Sequence, residues 1–397
     1  MQHSTSRRAF LRALGVSPAL LAMSAPRYDL VVQGGRVIDP SRSVSERLDI
    51  GIAGGVITRL AESIPESDAR QILDAREKIV TPGLIDVHVH VYDGVAGVGI
   101  WPDKACLARG STTVLDAGSA GATTLAGFRS YVVERAETRV GVLLNLSTLG
   151  LTSMRELSSL AYADVDRAAR AIEENRDIVF GIKVRMTRDI EGGKDLEALR
   201  LARQLAENAS VPLMVHIGVA SSPVGRFLDE LRSGDVVTHS FRARGSILDA
   251  SGLVLPEALE ARQRGVHFDI GHGAGNFSFD TAERALEQDF LPDTISSDIH
   301  SGNFDGPVFD LATTLSKFLH LGMSLEQTIA CATSTPAEIF SFPEPLGTLR
   351  EGAAADVAIF ELAEGHFELT DSGGATRSAA RKLVPVTTVK GGVVYPR

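Results

Sequence analysis

The stretch from Pro82 to Tyr92, Pro-Gly-Leu-Ile-Asp-Val-His-Val-His-Val-Tyr, constrains the fold more than any other part of the chain. With the two-residue period of a β-strand, one face carries Asp86, His88, His90 and Tyr92, and the other is apolar. Such a strand fits a barrel wall, with helices on one side and the lumen on the other. Two histidines two residues apart point the same way and can bind one metal ion, because neutral imidazole is a common metal ligand. The alternative is a buried strand whose histidines hydrogen-bond to their neighbours. The apolar face consists of Ile85, Val87, Val89 and Val91.

After this stretch, strand-like and helix-like segments alternate along the chain. Strands are expected at residues 84–92, 112–117, 139–146, 178–186, 211–217, 235–239, 266–272 and 294–298. Amphipathic helices are expected at residues 125–136, 164–175, 196–208, 256–264, 281–288 and 308–321. Eight strand–helix units over roughly 250 residues predict an α/β fold, a (β/α)8 TIM barrel that spans residues 81–340.

Both ends of the chain carry short strand-like segments around Gly-Gly pairs. Residues 28–39 are expected to form a strand, a turn at Gly34 and Gly35, and a second strand. A similar pattern surrounds Gly54-Gly55 near the N-terminus and Gly391-Gly392 near the C-terminus. Neither end alone has enough strands to bury a core. We therefore expect residues 25–80 and 341–397 to form one small β-sandwich domain rather than two unrelated sheets.

Residues 1–24 resemble a twin-arginine export signal rather than part of the fold. The segment Ser6-Arg-Arg-Ala-Phe-Leu-Arg12 precedes a modest apolar run, and Ala22 and Ser24 stand at cleavage spacing. This pattern predicts a periplasmic or secreted protein. The alternative is a basic, disordered tail on a cytoplasmic protein.

The composition argues against several classes of function. A formal net charge of −10 over 397 residues disfavours nucleic-acid binding. No apolar run is long enough to span a membrane, so no membrane anchor is expected. The predicted partner is a small-molecule substrate. Cys106 and Cys331 are expected to be buried free thiols, because two cysteines supply neither a zinc site nor a disulfide framework.

Residues with metal-binding or catalytic chemistry stand where the expected barrel strands end, which is where barrels place their active sites. The fifth, sixth and eighth strands end at His216, His239 and Asp298. Alone, each has a simple structural explanation: a satisfied core histidine, or an aspartate that caps a helix. Together with His88 and His90, they indicate a metal centre.

Lys183, on the fourth strand, is expected to point into the lumen among apolar neighbours, where a bare ammonium is costly. Either a buried carboxylate pairs with it, or its pKa is lowered and the amine is nucleophilic. A neutral amine can take up carbon dioxide and become a carbamate. That group can bridge two metal ions about 3.5–4 Å apart.

These residues resemble the amidohydrolase superfamily, in the subgroup with a binuclear centre bridged by a carboxylated lysine. The flanking segments Thr81–His88, Thr333–Glu338 and Leu346–Val357 resemble the family's entry to the first strand and its return into the sandwich. The resemblance implies that one ion is held by His88, His90 and Asp298, and the more exposed ion by His216 and His239. It further implies that a hydroxide and Lys183, as N6-carboxylysine, bridge the two ions.

The resemblance also implies that Asp298 is the catalytic residue. It would accept a proton from the hydroxide and pass it to the leaving group. The expected cofactors are two divalent metal ions and carbon dioxide in the form of the carbamate. A ligand set without thiolate suits zinc, although manganese, iron or cobalt also fits. Enzymes of this type often form homo-oligomers, and the sequence does not fix their number of subunits.

The substrate class depends on finer detail. Dihydroorotases carry an arginine shortly after the His-x-His pair, whereas Val-Tyr-Asp-Gly-Val follows His90 here. Residues 297–303 also depart from the dihydroorotase pattern, and hydantoinase-type sequences fit no better. Residues 181–185, 271–279 and 297–300 instead resemble deacetylases that act on O-acetylated α-hydroxy acids of the acetyl-mandelate kind.

We therefore expect a metal-dependent deacetylase or esterase. A cyclic amidase or N-acyl amide hydrolase is the alternative. A non-catalytic scaffold is the third hypothesis. The complete set of six ligand positions argues against the scaffold.

Three further residues are candidate substrate contacts. Arg185, one step beyond Lys183 on the same face, is expected to bind a substrate carboxylate or to pair with an acid such as Asp116 or Asp86. Tyr92 is expected either to polarise the substrate carbonyl or to pack under a loop. His272 is expected to contact the leaving group or to brace Asp298. The loop from Gly271 to Phe279 is expected either to close over the substrate or to form a tight turn.

Overall fold

Two sheets organise the structure, a computed structural model that describes residues 26–397. The expected export signal at residues 1–24 lies outside the described residues. The strands are β1 Tyr28–Asp39, β2 Val44–Ala53, β3 Val56–Ala61, β4 Ala69–Asp74, β5 Ile79–Pro82, β6 Leu84–Val89, β7 Ser111–Gly121, β8 Arg139–Asn145, β9 Val179–Met186, β10 Leu213–Ile217, β11 Val236–Thr238, β12 His267–Phe268, β13 Val357–Thr370, β14 Thr376–Lys390 and β15 Val393–Pro396. The α-helices are α1 Pro102–Ala105, α2 Leu125–Phe128, α3 Val165–Glu173, α4 Arg188–Glu191, α5 Asp195–Ala209, α6 Val224–Asp229, α7 Pro256–Gln263, α8 Phe279–Leu286, α9 Leu311–His320, α10 Leu325–Ala330 and α11 Ser334–Ile339.

Strands β6 to β12 form a parallel sheet in sequence order, which confirms the predicted α/β barrel. The expected eighth strand, residues 294–298, is not a regular strand. It closes the sheet through single parallel bridges, from Thr294 to Asp269 on one side and from Ile299 to Val89 on the other. Asp298 lies between them with a φ of 49°, and this left-handed conformation cannot continue an extended ladder.

Strand β6 differs from the simple two-faced strand that its alternation predicts. Its pairing with β7 shifts register between Asp86 and Val89. As a result, Ile85 and Val87 pack in one apolar cluster with Leu115 and Met214, whereas Val89 and Val91 belong to the larger core beneath the helices. The irregularity lies directly beside His88 and His90.

The second sheet combines strands from both ends of the chain, in the order β15-β14-β13-β5-β1-β2-β3, with β4 paired to β1. The two ends meet where β13 pairs antiparallel with β5. The expected hairpins at Gly54-Gly55 and Gly391-Gly392 are present, between β2 and β3 and between β14 and β15.

The predicted turn at Gly34 and Gly35 is wrong, because β1 runs through both residues as one strand. Its register against β2 shifts there, and Gly34 has a φ of 74°. The Gly34 N–H donates to the Asp49 carboxylate at 2.7 Å, so the bulged backbone keeps a partner. The residue pair therefore bends one strand, which pairs with β4 before the bulge and β5 after it.

Cys106 and Cys331 are both free and buried, as predicted. Within residues 26–397, no helix has the length and apolar character needed to cross a bilayer.

Candidate metal centre

His88, His90 and Asp298 converge where the barrel closes between β6 and the 294–299 segment. Their potential ligand atoms all lie within 4.8 Å of one another. The Asp298 Oδ1 atom is 3.2 Å from Nε2 of His90 and 3.5 Å from Nε2 of His88. The backbone fixes this arrangement, because Asp298 N–H donates to the His88 carbonyl at 2.7 Å and His90 N–H donates to that of Ile299 at 3.0 Å.

His216 and His239 form a second pair of donors beside the first group. Nε2 of His239 is 2.9 Å from Nδ1 of His216, and the His239 ring centroid is 4.9 Å from that of His88. Nδ1 of His239 lies 2.6 Å from the Gly271 carbonyl, which only accepts, so Nδ1 carries the proton. The lone pair of Nε2 therefore faces His216.

Hydroxyl groups behind the first two histidines contact their Nδ1 atoms. Thr238 donates its hydroxyl to the buried Asp269 at 2.7 Å, so its oxygen accepts from Nδ1–H of His88 at 2.9 Å. Nδ1 of His90 contacts the Ser119 hydroxyl at 3.0 Å. This pattern, in which a second layer fixes the ring and its tautomer, is typical of metal-binding histidines.

Lys183 is buried with Nζ 2.9 Å from Nε2 of His88 and 3.3 Å from the Ala117 carbonyl. Among the ion pairs of residues 26–397, none joins this ammonium to a carboxylate. Burial lowers the pKa of Lys183 to about 7, the second of the two outcomes expected for this lysine. Gly118, with a φ of 91°, makes room for the side chain, since a Cβ atom there would lie 2.9 Å from Cγ of Lys183.

Burial governs the protonation of the imidazoles. It lowers the pKa of His239 to about 3, and it lowers the pKa values of His88 and His216 well below their usual range, so these three rings are neutral near pH 7. For Asp298, burial raises the pKa, but the hydrogen bond and charge of His90 outweigh this effect and the net pKa is lowered. The carboxylate is therefore ionised.

Two of these residues hold uncommon backbone conformations. His239 has a φ of 69° and Asp298 a φ of 49°, both in the left-handed region. Such conformations cost free energy and occur preferentially at functional sites.

The side chains present fit divalent metal ions. Four imidazoles, an ionised carboxylate and a lysine with a lowered pKa form one cluster, in which all members except the half-buried His216 are buried. They contribute nitrogen and oxygen donors without thiolate. Without a cation, the imidazole lone pairs of His88 and His239 face other nitrogen atoms instead of a positive charge. The donor set thus matches a site for divalent metal ions.

A cavity of about 150 Å³ opens onto this cluster. His90, His216 and Asp298 form its floor together with Arg185. Its remaining lining residues are Val98, Leu151, Met154, Ala274, Gly275, Asn276 and His300. The wall is therefore partly apolar, with one guanidinium and one further imidazole.

Arg185 lines the cavity, and its carboxylate partner is Glu156. The pair is bidentate, with Nε to Oε1 at 2.7 Å and Nη2 to Oε2 at 2.6 Å, and Glu156 is fully buried. The partners considered from sequence, Asp116 and Asp86, are wrong because both have other donors. Asp116 accepts from the backbone N–H of Val91 and Ser119, and Asp86 accepts from the Ser297 backbone and hydroxyl.

The other two candidate substrate contacts lie away from the lining of this cavity. Tyr92 donates its hydroxyl to the Thr124 carbonyl at 3.1 Å and packs edge-on against Phe128, so the structure places it in packing. His272 is fully buried, with Nδ1 2.9 Å from the Gly273 carbonyl and Nε2 2.6 Å from Nζ of Lys317. Neither ring nitrogen of His272 contacts Asp298, contrary to the expected brace.

Sequence patterns predicted no role for four residues near the site. Glu156 lies in an irregular loop and Asp269 at the end of the seventh strand, where nothing in the local pattern distinguishes them from ordinary acids. Asn276 contacts Oδ2 of Asp298 through Nδ2 at 3.4 Å. His300 follows Asp298 by two residues, and this short spacing was the one signal available for it.

The chain is similar to several known proteins in sequence and fold. The profile of the amidohydrolase family matches residues 79–394. The chain is 37% identical to a deacetylase from Enterococcus faecalis over 93% of its own length and 99% of the relative's, and 34% identical to Deacetylase Atu3266 from Agrobacterium fabrum over 86% and 85%. Among solved structures, it is similar to one described as an adenine deaminase (TM-score 0.87, 36% identity, 93% and 100% of the two chains). A second, described as a dihydroorotase, has a TM-score of 0.85 and 32% identity over 92% and 99%.

Proposed function

Because the chain belongs to the amidohydrolase family, we propose that it is a binuclear metallohydrolase that removes the acetyl group from a small O-acetylated α-hydroxy acid. The observation that carries this proposal is the convergence of six side chains in one cluster, of which His90, His216 and Asp298 line a small cavity. The other three are His88, Lys183 and His239. When bound there, divalent ions lower the pKa of water and polarise the acyl carbonyl.

Asp298 is the residue that moves the proton. Its lowered pKa keeps it ionised and able to accept a proton from the attacking water. The water oxygen forms a bond to the acyl carbon, the ester C–O bond breaks, and Asp298 returns the proton to the leaving oxygen. Asn276 contacts Oδ2 of Asp298 through Nδ2 and helps to hold the carboxylate in place for both transfers.

His88, His90 and Asp298 would hold one ion, and His216 and His239 the other. Lys183 would join them as the carbamate, because its pKa of about 7 leaves a substantial fraction of neutral amine. The tautomers set by Thr238 and Gly271 direct the Nε2 lone pairs of His88 and His239 towards this centre.

The cavity lining supports a carboxylated substrate with an apolar substituent. Arg185 provides the positive charge for a carboxylate, although Glu156 already neutralises part of it. Val98, Leu151 and Met154 provide an apolar wall for the rest of the molecule. Relatives named deacetylase support the choice of an acetyl group.

Hydrolysis of a cyclic or N-acyl amide is the second candidate, favoured by the structural similarity to a protein described as a dihydroorotase. The same carboxylate and ions would serve that reaction, since an amide carbonyl needs the same polarisation. Val91 directly follows His90, and no arginine stands within the five residues after it, which argues against dihydroorotate itself.

The test combines metal analysis with a substrate panel. Elemental analysis of protein purified without chelator is expected to give about two divalent ions per chain, as in two-metal sites. The panel contains O-acetyl-α-hydroxy acids, N-acetyl amino acids, dihydroorotate, hydantoins and adenine. Preferred hydrolysis of the O-acetyl acids supports the proposal, and preference for a cyclic amide or adenine refutes it. A chain that binds no metal after reconstitution with zinc would favour the scaffold.

A further inference from the structure

The loop after the closing segment, residues 297–303, places a histidine at the cavity that the metal centre does not use. His300 lies two residues beyond Asp298 and lines the same cavity. Its ring centroid is 6.4 Å from that of His90. It is thus close to the reacting centre but outside the set of ligand atoms that converge there.

The local backbone fixes which ring nitrogen of His300 carries the proton. The Gly302 N–H donates to Nδ1 at 3.0 Å, so Nδ1 is the acceptor and the neutral ring carries its proton on Nε2. Glycine at position 302 allows this approach, because a Cβ atom there would lie 3.1 Å from Cε1 and 3.2 Å from Nδ1 of the ring.

Asn303 ties the position of His300 to that of Asp298. Its side chain is buried, accepts from the His300 N–H through Oδ1 at 2.9 Å, and donates from Nδ2 to the Asp298 carbonyl at 2.8 Å. One amide thus holds the backbone of both residues. The imidazole and the carboxylate are presented to the cavity as a unit.

The Nε2–H group of His300 has no hydrogen-bond partner among residues 26–397. This nitrogen is not among the buried, unpartnered side-chain atoms of these residues, and the His300 side chain lines the cavity. An oriented donor without a protein partner beside an ionised carboxylate is positioned to bind an acceptor atom of a ligand.

We propose that His300 donates a hydrogen bond from Nε2 to the leaving-group oxygen of the substrate, an inference that rests on the proposed ester hydrolysis. The leaving oxygen lies on the side of Asp298, because that carboxylate delivers its proton, and His300 comes from the same loop. Arg185, on β9, is the better partner for the substrate carboxylate because it carries a full positive charge. As the ester C–O bond breaks, its electron pair moves to the leaving oxygen. The Nε2–H bond stabilises that charge, while the proton that completes the alcohol comes from Asp298.

This role predicts a dependence on the leaving group that a structural role does not. Alkoxides are poor leaving groups and develop much negative charge in the transition state, whereas p-nitrophenolate develops little and needs no donor. Removal of a donor to developing charge typically lowers kcat by about 100- to 1,000-fold. We expect the lower end, about 100-fold, for alkyl acetates and less than about threefold for p-nitrophenyl acetate.

The experiment compares the metal-loaded wild type with His300→Leu, His300→Gln and His320→Leu on a series of acetate esters whose leaving alcohols span a wide range of pKa. His300→Leu removes the donor. His300→Gln retains an N–H group at a similar reach and is expected to recover most of the alkyl-ester rate. His320→Leu is the matched control, since His320 is an exposed histidine at the end of α9. Metal content is measured for every variant.

A steeper dependence of log kcat on leaving-group pKa in His300→Leu, restored towards wild type in His300→Gln, supports the proposal. An equal loss for all esters in both variants, or no loss, overturns it. If His300→Leu fails to load metal, Gly302→Ala, which crowds the ring without removing it, must reproduce the steeper dependence or the proposal fails. If the wild-type protein hydrolyses no ester but acts on a cyclic amide, the proposed function itself is wrong and this inference falls with it.

Discussion

The hydroxyl of Thr238 offers a sharp test of the metal centre because it touches no substrate and is not itself a ligand. It accepts from Nδ1–H of His88 at 2.9 Å and donates to Asp269 at 2.7 Å. Thr238→Val keeps the shape of the side chain and removes both bonds. We expect weaker metal binding with little change in fold.

The magnitude follows from the partners that remain. Asp269 keeps two hydroxyl donors, Thr294 and Ser296, both at 2.7 Å, so most of the loss falls on His88. His88 is buried, and its Nδ1–H would have no acceptor. A buried group left without its partner costs about 1–3 kcal/mol, and changes behind metal-bound histidines typically weaken metal binding by about 10- to 100-fold. We expect a loss in this range, equivalent to about 1.4–2.8 kcal/mol.

The assay is competition for zinc between the apo-protein and a chelator of known affinity. Thr238→Ser keeps the hydroxyl and is expected to bind zinc within about threefold of wild type. Thr388→Val is the matched control, because the buried Thr388 hydroxyl has no hydrogen-bond partner within residues 26–397. Unchanged zinc affinity in Thr238→Val, or an equal loss in Thr388→Val, would refute the argument that Thr238 orients His88.

Further predictions concern Lys183 and the Arg185–Glu156 pair. Lys183→Ala is expected to lose metal and activity, with partial rescue by a short-chain carboxylic acid; a fully active variant would show that no bridging group is needed. Because the pKa of Lys183 is about 7 and only the neutral amine takes up carbon dioxide, reactivation of apo-protein by zinc at a fixed concentration of dissolved carbon dioxide should accelerate about tenfold from pH 6 to pH 8. A flat pH profile would contradict this. Glu156→Gln leaves the mostly buried Arg185 without its anionic partner and should cost about 3–5 kcal/mol of stability. Calorimetry measures this loss, and an unchanged melting temperature would mean that Arg185 finds another partner.

Local pattern was enough to predict the barrel and the side chains that come together at the proposed metal centre. The alternation along Pro82–Tyr92 and the succession of strand-like and helix-like segments are periodic signals. In a parallel barrel the carboxyl ends of all strands meet at one face. Residues that end separate strands, such as Lys183, His216 and His239, are therefore brought together by topology alone. The structure gathers them into one cluster with Asp298.

The same local pattern was misleading where a glycine pair has two possible uses. Gly54 and Gly55 make a hairpin turn, but Gly34 and Gly35 bend a continuous strand. Glycine can adopt a positive φ in both pairs, so the sequence alone does not distinguish a turn from a bulge. The difference lies in pairing partners distant in the chain, since β1 is held by β4 and β5 on one side and by β2 on the other.

The partners of the charged side chains around the site were decided by tertiary structure. The carboxylate that neutralises Arg185 is Glu156, from an irregular loop, and the group that contacts His272 is Lys317, from α9. Neither partner has a periodic or local signal. The sequence by itself determined which residue types stand at the strand ends, because the two-residue period of a strand is a short-range property. Only the tertiary structure decided which buried charges pair and which donors, such as Nε2 of His300, have no partner among residues 26–397, because these depend on how loops pack.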